Sequence, residues 1–229
     1  MHEGENSIEN HQWKDDHAEK FVQSMEKQIK TRYKPFAKNV AKIYEKYRKN
    51  VKENPKIIDL ACGPAFLLME IQKKIPNASL LGIDSSVKML SYAKLKIEQY
   101  GVQNIEFKQG MAESIPIEDN NISVVTCLNS FHDFQDPKKV LNEVYRVLKS
   151  EGIFILKDKN PNYPKWKMKI HFFFLRFKMG KERSKHYYKS SHHWINPQEL
   201  DKWMKELNFK ASFISRSVDY IVVGEKETN

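Results

Sequence analysis

Apolar positions fall in short dense runs that alternate, over most of the chain, with stretches where they recur every three or four residues. The first dense run, Lys56-Ile57-Ile58-Asp59-Leu60-Ala61-Cys62, stops at Gly63-Pro64 and predicts a buried parallel strand. Phe66, Leu67, Met69, Ile71 and Ile75 then repeat at helical spacing up to Pro76. Ser79 to Asp84 predicts a second strand, Ser85-Ser86 can cap a helix running to Tyr100, and Gly101 sits where a helix-ending glycine belongs. Asn104 to Gln109 and Ile122 to Cys127 are the third and fourth strands, Asp136-Pro137 opens a helix to Lys149, and Gly152 to Lys157 is the fifth strand. Asn196-Pro197 starts a last helix to Leu207, and Lys210 to Ser215 and Val218 to Glu225 are joined by only Arg216-Ser217. So short a join predicts an antiparallel hairpin at the end of the sheet.

This alternation implies βαβ units and a parallel sheet. Ahead of it, residues 12 to 50 contain no glycine and only one proline, Pro35, which predicts two helices broken near Thr31 to Pro35. The expected division is an N-terminal helical lid over residues 1–50 and one α/β domain over 51–229, with residues 157–193 inserted as a substrate cap.

With 30% charged and 40% hydrophobic residues, the composition is that of a globular chain. The densest late apolar stretch, Ile170 to Phe177, contains His171 and Arg176 and is too short to span a bilayer. The first twenty residues are polar and lack the order of a secretion signal. The two cysteines, Cys62 and Cys127, each lie inside an apolar run, so a reducing cytoplasm is expected rather than a disulfide framework. The net charge of +10 is local: residues 157–193 hold eleven Lys/Arg against two acids, and the remainder is nearly balanced. That segment needs its own explanation.

A sheet of this kind binds ligands at the carboxyl ends of its strands, where strand order reverses. The first strand ends in Asp59-Leu60-Ala61-Cys62-Gly63-Pro64-Ala65, small residues that let backbone approach a ligand. Asp84 ends the second strand, and a carboxylate there can accept from both hydroxyls of a ribose. Small residues at tight turns and an Asp before a helix also occur in α/β proteins without any cofactor. The three-glycine dinucleotide fingerprint is absent.

From about Lys56 to Lys157 the chain resembles the class I methyltransferases, in particular the group that includes the ubiquinone/menaquinone-biosynthesis enzymes. The residues that carry the likeness are the 59–65 loop, Gly82-Ile83-Asp84-Ser85-Ser86 with Met89 one turn on, Gln109-Gly110-Met111-Ala112-Glu113-Ser114-Ile115-Pro116, and Ile122 to Phe134 followed by Arg146 to Gly152. The resemblance implies a Rossmann-like, doubly wound, mostly parallel seven-stranded sheet and S-adenosyl-L-methionine as cofactor. It further implies that Asp59, Ala61 and Gly63 hold the methionine end, that Asp84 and Ser85 sit at the ribose, that Met89, Met111 and Ala112 flank the adenine, and that Leu128 lines the inner wall. Ala65, Met111 and Ser123 depart from the family's usual glycine, acid and aspartate.

Methyl transfer from a sulfonium needs alignment and exclusion of water, and a base only when the acceptor must lose a proton. His132, after the fourth strand, can act as base or as a positioning group, and Tyr33 lines the acceptor pocket if the N-terminal helices fold over it. Tyr187, Tyr188, His192 and His193 mark another pocket edge; His186, His192 and His193 have no acid or cysteine at ligand spacing, so no metal is expected. Within 157–193, Trp166, Ile170, Phe173, Phe174 and Phe177 share one helical face, although a strand period fits as well. Four readings of this segment remain: a cap over the acceptor, a holder of an anionic small-molecule acceptor, an anionic membrane surface, and RNA last because no separate RNA-binding domain is visible. The expected activity is methyl transfer to a small-molecule acceptor, with a lipid or RNA methyltransferase and a transfer-inactive cofactor-binding protein as alternatives.

Overall fold

The computed structural model describes residues 15–47, 53–164, 166, 194–216 and 218–227. The helical face read at Trp166, Ile170, Phe173, Phe174 and Phe177 lies, but for Trp166, outside the described residues, as do His186, Tyr187, Tyr188, His192 and His193; the expected cap begins later than residue 157, because the fifth strand runs to Lys159.

Seven strands form one sheet in the order β3-β2-β1-β4-β5-β7-β6. Strands β1 (Lys56–Leu60), β2 (Ser79–Asp84), β3 (Ile105–Gln109), β4 (Ile122–Leu128) and β5 (Leu148–Lys159) pair in parallel. β6 (Phe209–Arg216) and β7 (Asp219–Lys226) form the expected antiparallel hairpin, with β7 inserted between β5 and β6. Strand order reverses between β1 and β4, so the crevice at their carboxyl ends is where a ligand site belongs.

Alternation along the strands divides the core in two. Ile57, Val124, Ile153, Ile155 and Val223 face α2 (Lys34–Tyr47), α3 (Phe66–Gln72) and α4 (Val87–Gln99). Ile58, Leu60, Val125, Cys127, Phe154 and Val222 face α5 (Pro137–Val147) and α6 (Pro197–Glu206). Asp59 alternates with Ile58 and Leu60 and therefore lies on the first face, under the N-terminal helices. Gly82 on β2 is required by contact: a Cβ there would stand 2.7 Å from Cys62 Sγ and 2.9 Å from the Phe107 ring.

Some boundaries differ from the sequence reading. The helix expected to reach Lys149 ends at Val147, and β5 starts at Leu148, pairing with Ile122. Glu151 then takes a left-handed φ of 61°, and regular pairing resumes at Ile153 with Val124. The periodicity at 144–148 suits both elements, and pairing with β4 decides it. The N-terminal break is a single π-helical turn, Ile29–Tyr33, between α1 (Asp15–Glu26) and α2, and Pro35 falls in the first turn of α2, where its missing N–H costs nothing. No helix among the described residues is long and apolar enough to cross a membrane.

Candidate functional site

Two acidic strand ends meet in the crevice. Asp84, 9% exposed, accepts from the Gly63 N–H through Oδ2 at 2.8 Å and from the Ser86 N–H through Oδ1 at 2.9 Å. This carboxylate therefore ties the loop after β1 to the start of α4. Ser86, rather than Ser85, caps α4, its Oγ accepting from the Met89 N–H at 3.2 Å, and Met89 is buried below. The loop after β1 bends through Ala61, Gly63 and Ala65, all with left-handed φ of 51–62°. Glycine alone adopts that region without strain, so Ala61 and Ala65 are held there by the surrounding contacts. A left-handed Ala65 also shows why glycine would suit the position.

Asp59 is 3% exposed and accepts from Thr126 Oγ1 at 2.7 Å. Burial, only partly offset by the Thr126 hydrogen bond and reinforced by the charge of Asp84, pushes its pKa up to about 7. Burial likewise raises Asp84, against the two backbone hydrogen bonds that lower it. Neither carboxylate makes an ion pair among the described residues. Among the described residues, the crevice thus concentrates buried carboxylates without a cation beside them.

Gln109 Nε2 donates to the Ser85 carbonyl at 3.2 Å, joining the loops after β2 and β3. Beyond it, Met111 bridges to Ser114 and Ala112 is buried. This segment is clamped to α5: Glu143 accepts from the Ile115 N–H, and Arg146 donates to the Ile115 and Ile117 carbonyls while pairing with Glu143 and Asp119. Leu128, half-buried at the end of β4, sits opposite Lys157 of β5.

The N-terminal helices close the first face. A Cβ on Gly63 would lie 3.7 Å from Met25 Cε of α1, so α1 packs directly on the glycine loop. The Tyr33 ring stands 5.7 Å from that of Phe66, and its hydroxyl is buried with its pKa pushed up to about 12, chiefly by burial. Glu26 at the end of α1 bonds Lys96 Nζ at 2.8 Å and accepts from Tyr100 Oη at 2.8 Å, fastening α1 to α4. Tyr33 and Asp59 are thereby brought to the same side of the sheet, close enough that the charge of Asp59 acts on Tyr33.

His132 lies in a 3-10 turn, Phe131–Asp133, beyond β4. Its Nδ1 is 2.7 Å from Asp158 Oδ1, and its backbone N–H donates to Asp158 Oδ2 at 3.0 Å. Nε2 lies 3.5 Å from Asp133 Oδ1. Burial opposes the imidazolium, but the hydrogen bond and charge of Asp158, with Asp133, outweigh burial and the nearby Lys159 and raise the His132 pKa. Asp158, Thr126 and the Glu143–Arg146 clamp escaped the sequence reading. An acid at the carboxyl end of the fifth strand was the available signal for Asp158.

A carboxylate offers about four acceptor positions, and Asp84 uses two of them here. The two that remain suit the paired hydroxyls of a ribose, and the cation-free pair Asp59/Asp84 suits a positively charged ligand. The residues therefore fit the sulfonium nucleoside implied by the resemblance.

The chain is similar to known proteins over most of its length. A family model described as a methyltransferase domain matches residues 51–210. The demethylmenaquinone methyltransferase of Thermotoga maritima is 31% identical over 198 residues, covering 79% of this chain and 84% of that protein. The demethylmenaquinone methyltransferase of Lactococcus lactis subsp. lactis is 30% identical over 167 residues, covering 69% and 66%. Among solved structures, the plantazolicin methyltransferase BpumL with a desmethylPZN analog and SAH superposes with a TM-score of 0.72 at 16% identity, covering 94% and 93%. A SAM-dependent methyltransferase from Aquifex aeolicus superposes with a TM-score of 0.61 at 18% identity, covering 81% and 88%.

Proposed function

This chain belongs to the class I S-adenosylmethionine-dependent methyltransferases, and from that premise we propose that it methylates a small-molecule acceptor of anionic character. The observation that carries the cofactor part of the reading is Asp84, which keeps two acceptor positions unused beside the glycine loop and Asp59. Bound S-adenosylmethionine supplies a methyl group on a positively charged sulfur, with a neutral thioether as leaving group.

The chain's own residues do the rest. Asp84 holds the ribose hydroxyls and Ser85 stands beside them. Asp59 with Ala61 and Gly63 holds the methionine end. Met89, Met111 and Ala112 flank the adenine, and Leu128 forms the inner wall. α1 and α2 act as a lid: Met25 covers the glycine loop, and Tyr33 lines the acceptor side and excludes water. His132 follows β4 at the same carboxyl edge of the sheet. The small-molecule acceptor is supported by relatives named for methylating demethylmenaquinone. The anionic character is supported by the concentration of Lys/Arg in residues 157–193.

Methyl-labelled S-adenosylmethionine, incubated with the protein and a set of soluble hydroquinones and hydroxy acids, tests the reading. Label should move into the low-molecular-weight fraction, leaving S-adenosylhomocysteine. Label transferred only to RNA or to vesicle lipid would overturn it.

A further inference from the structure

Resting on that reading, we propose that His132 and Asp158 form a proton-accepting pair, with His132 Nε2 as the base and Asp158 as its positioning residue. The acceptor is then a molecule whose reacting atom must lose a proton, such as a hydroquinone hydroxyl or an acidic carbon.

The argument starts from Asp158. Its side chain is 2% exposed, and a carboxylate so far out of water requires a strong partner. The partner is the imidazole, held at two points: Asp158 Oδ1 faces Nδ1, and Oδ2 accepts the backbone N–H of the same residue. A carboxylate only accepts, so Nδ1 carries a proton, and in the neutral ring Nε2 then holds the lone pair. The imidazole is itself 9% exposed, and Phe131 before it in the chain and Cys127 of β4 are fully buried. Asp158 Oδ1 also accepts the Lys159 backbone N–H at 2.7 Å, and the Tyr220 hydroxyl of β7, near enough to feel Asp158, makes no hydrogen bond among the described residues.

The charged and titratable groups that act on the ring are Asp158 and Lys159 from β5 and Asp133 from its own turn; among the described residues Cys127 of β4 and Tyr220 of β7 feel Asp158 from behind. Nε2 points to the Asp133 side, 3.5 Å from a carboxylate that is 67% exposed. This position lies beyond the carboxyl end of β4, four residues past Leu128. In the reaction the acceptor X–H bond breaks and its proton passes to Nε2. The electron pair left on X forms the X–CH3 bond, and the sulfonium sulfur keeps the pair of the broken S–CH3 bond. The imidazolium so formed lies between Asp158 and Asp133.

Nitrogen-15 NMR of the full-length protein labelled at histidine tests this without an acceptor, the His132 signals being identified by their loss in His132→Gln. Neutral His132 should carry its proton on Nδ1 and titrate above the ordinary histidine value of 6.5. Asp158→Asn should lower the midpoint by about one unit or more, and Asp158→Glu should restore part of it, which also covers the case in which the Asn variant fails to fold. S-adenosylmethionine, whose sulfonium would stand beside the acceptor, should lower the midpoint by ~0.5 unit or more relative to S-adenosylhomocysteine. A proton on Nε2 in the neutral form, or equal midpoints with the two cofactor forms, overturns the pair while leaving the cofactor reading intact. Failure of either cofactor form to bind in calorimetry on the same sample overturns both.

Discussion

At the ends of β1 and β2, Asp59 and Asp84 are buried against backbone N–H groups and a threonine hydroxyl, with no cation beside them among the described residues. At the ends of β5 and β7, Asp158 and Asp219 are also shielded, yet each has its counterpart in the chain: His132 for Asp158, and Lys157 and Lys159 for Asp219. The difference shows in the direction of the pKa shifts. Burial raises Asp59 and Asp84, whereas the two lysines outweigh burial and lower Asp219. Among the described residues, one side of the crevice pairs its carboxylates with no cation, which suits a positively charged cofactor. On the other, balanced side a basic side chain stands at each carboxylate, which suits the proton transfer proposed for His132.

The largest effect should come from the balanced side. His132→Gln should lower transfer to a proton-losing acceptor by about 10²–10³-fold while cofactor affinity stays within about twofold, as steady-state rates and calorimetry would show. Equal losses in both would place His132 in the cofactor site and erase the contrast.

Asp59→Asn acts on the open side. In the protein without cofactor, a carboxyl raised to about 7 holds its proton longer folded than unfolded. Its contribution to stability is therefore full in acid and is lost as pH rises from about 4 through about 7. The amide removes that penalty, so the variant should melt higher than the parent at pH 8 in thermal scans. It should also bind S-adenosylmethionine about tenfold more weakly at pH 8 and lose the parent's gain in affinity between pH 6 and 8.

Asp219→Asn strips the shared carboxylate from Lys157 and the buried Lys159 and should cost about 1–2 kcal/mol at neutral pH in denaturant unfolding. The parent's advantage should fade only in acid, because a lowered carboxyl loses its stabilising charge as pH falls below the ordinary value of 3.8. Smallest is Glu26→Gln, which loosens the partly exposed tie to Lys96 and Tyr100. It should cost less than about 1 kcal/mol in stability and speed cofactor release about two- to fivefold in stopped flow, the mark of a lid rather than a wall.

The elements of the open side stand out in the sequence, whereas on the balanced side only His132 does. The loop 59–65, Asp84 and the helix cap lie within a few residues of strand ends that hydrophobic spacing locates, so short-range pattern finds them. The partner of His132 lies 26 residues away, and only the pairing of β4 with β5 brings the two together. Asp158 in Lys157-Asp158-Lys159 looks like one charge in a basic tract until its burial is known. The fold was read nearly whole, hairpin included, because period and turn residues agree along the chain. The π turn that swings Tyr33 onto Phe66 leaves no trace in period, since one extra residue per turn is invisible at that length.

The most direct test of the open side is calorimetry of S-adenosylmethionine against the parent and Asp84→Asn at pH 8. The account predicts clear saturable binding to the parent and a loss of ~100-fold or more in the variant, since two ribose hydrogen bonds and the tie to the Gly63 N–H fail together. Affinity equal in the two proteins would contradict it.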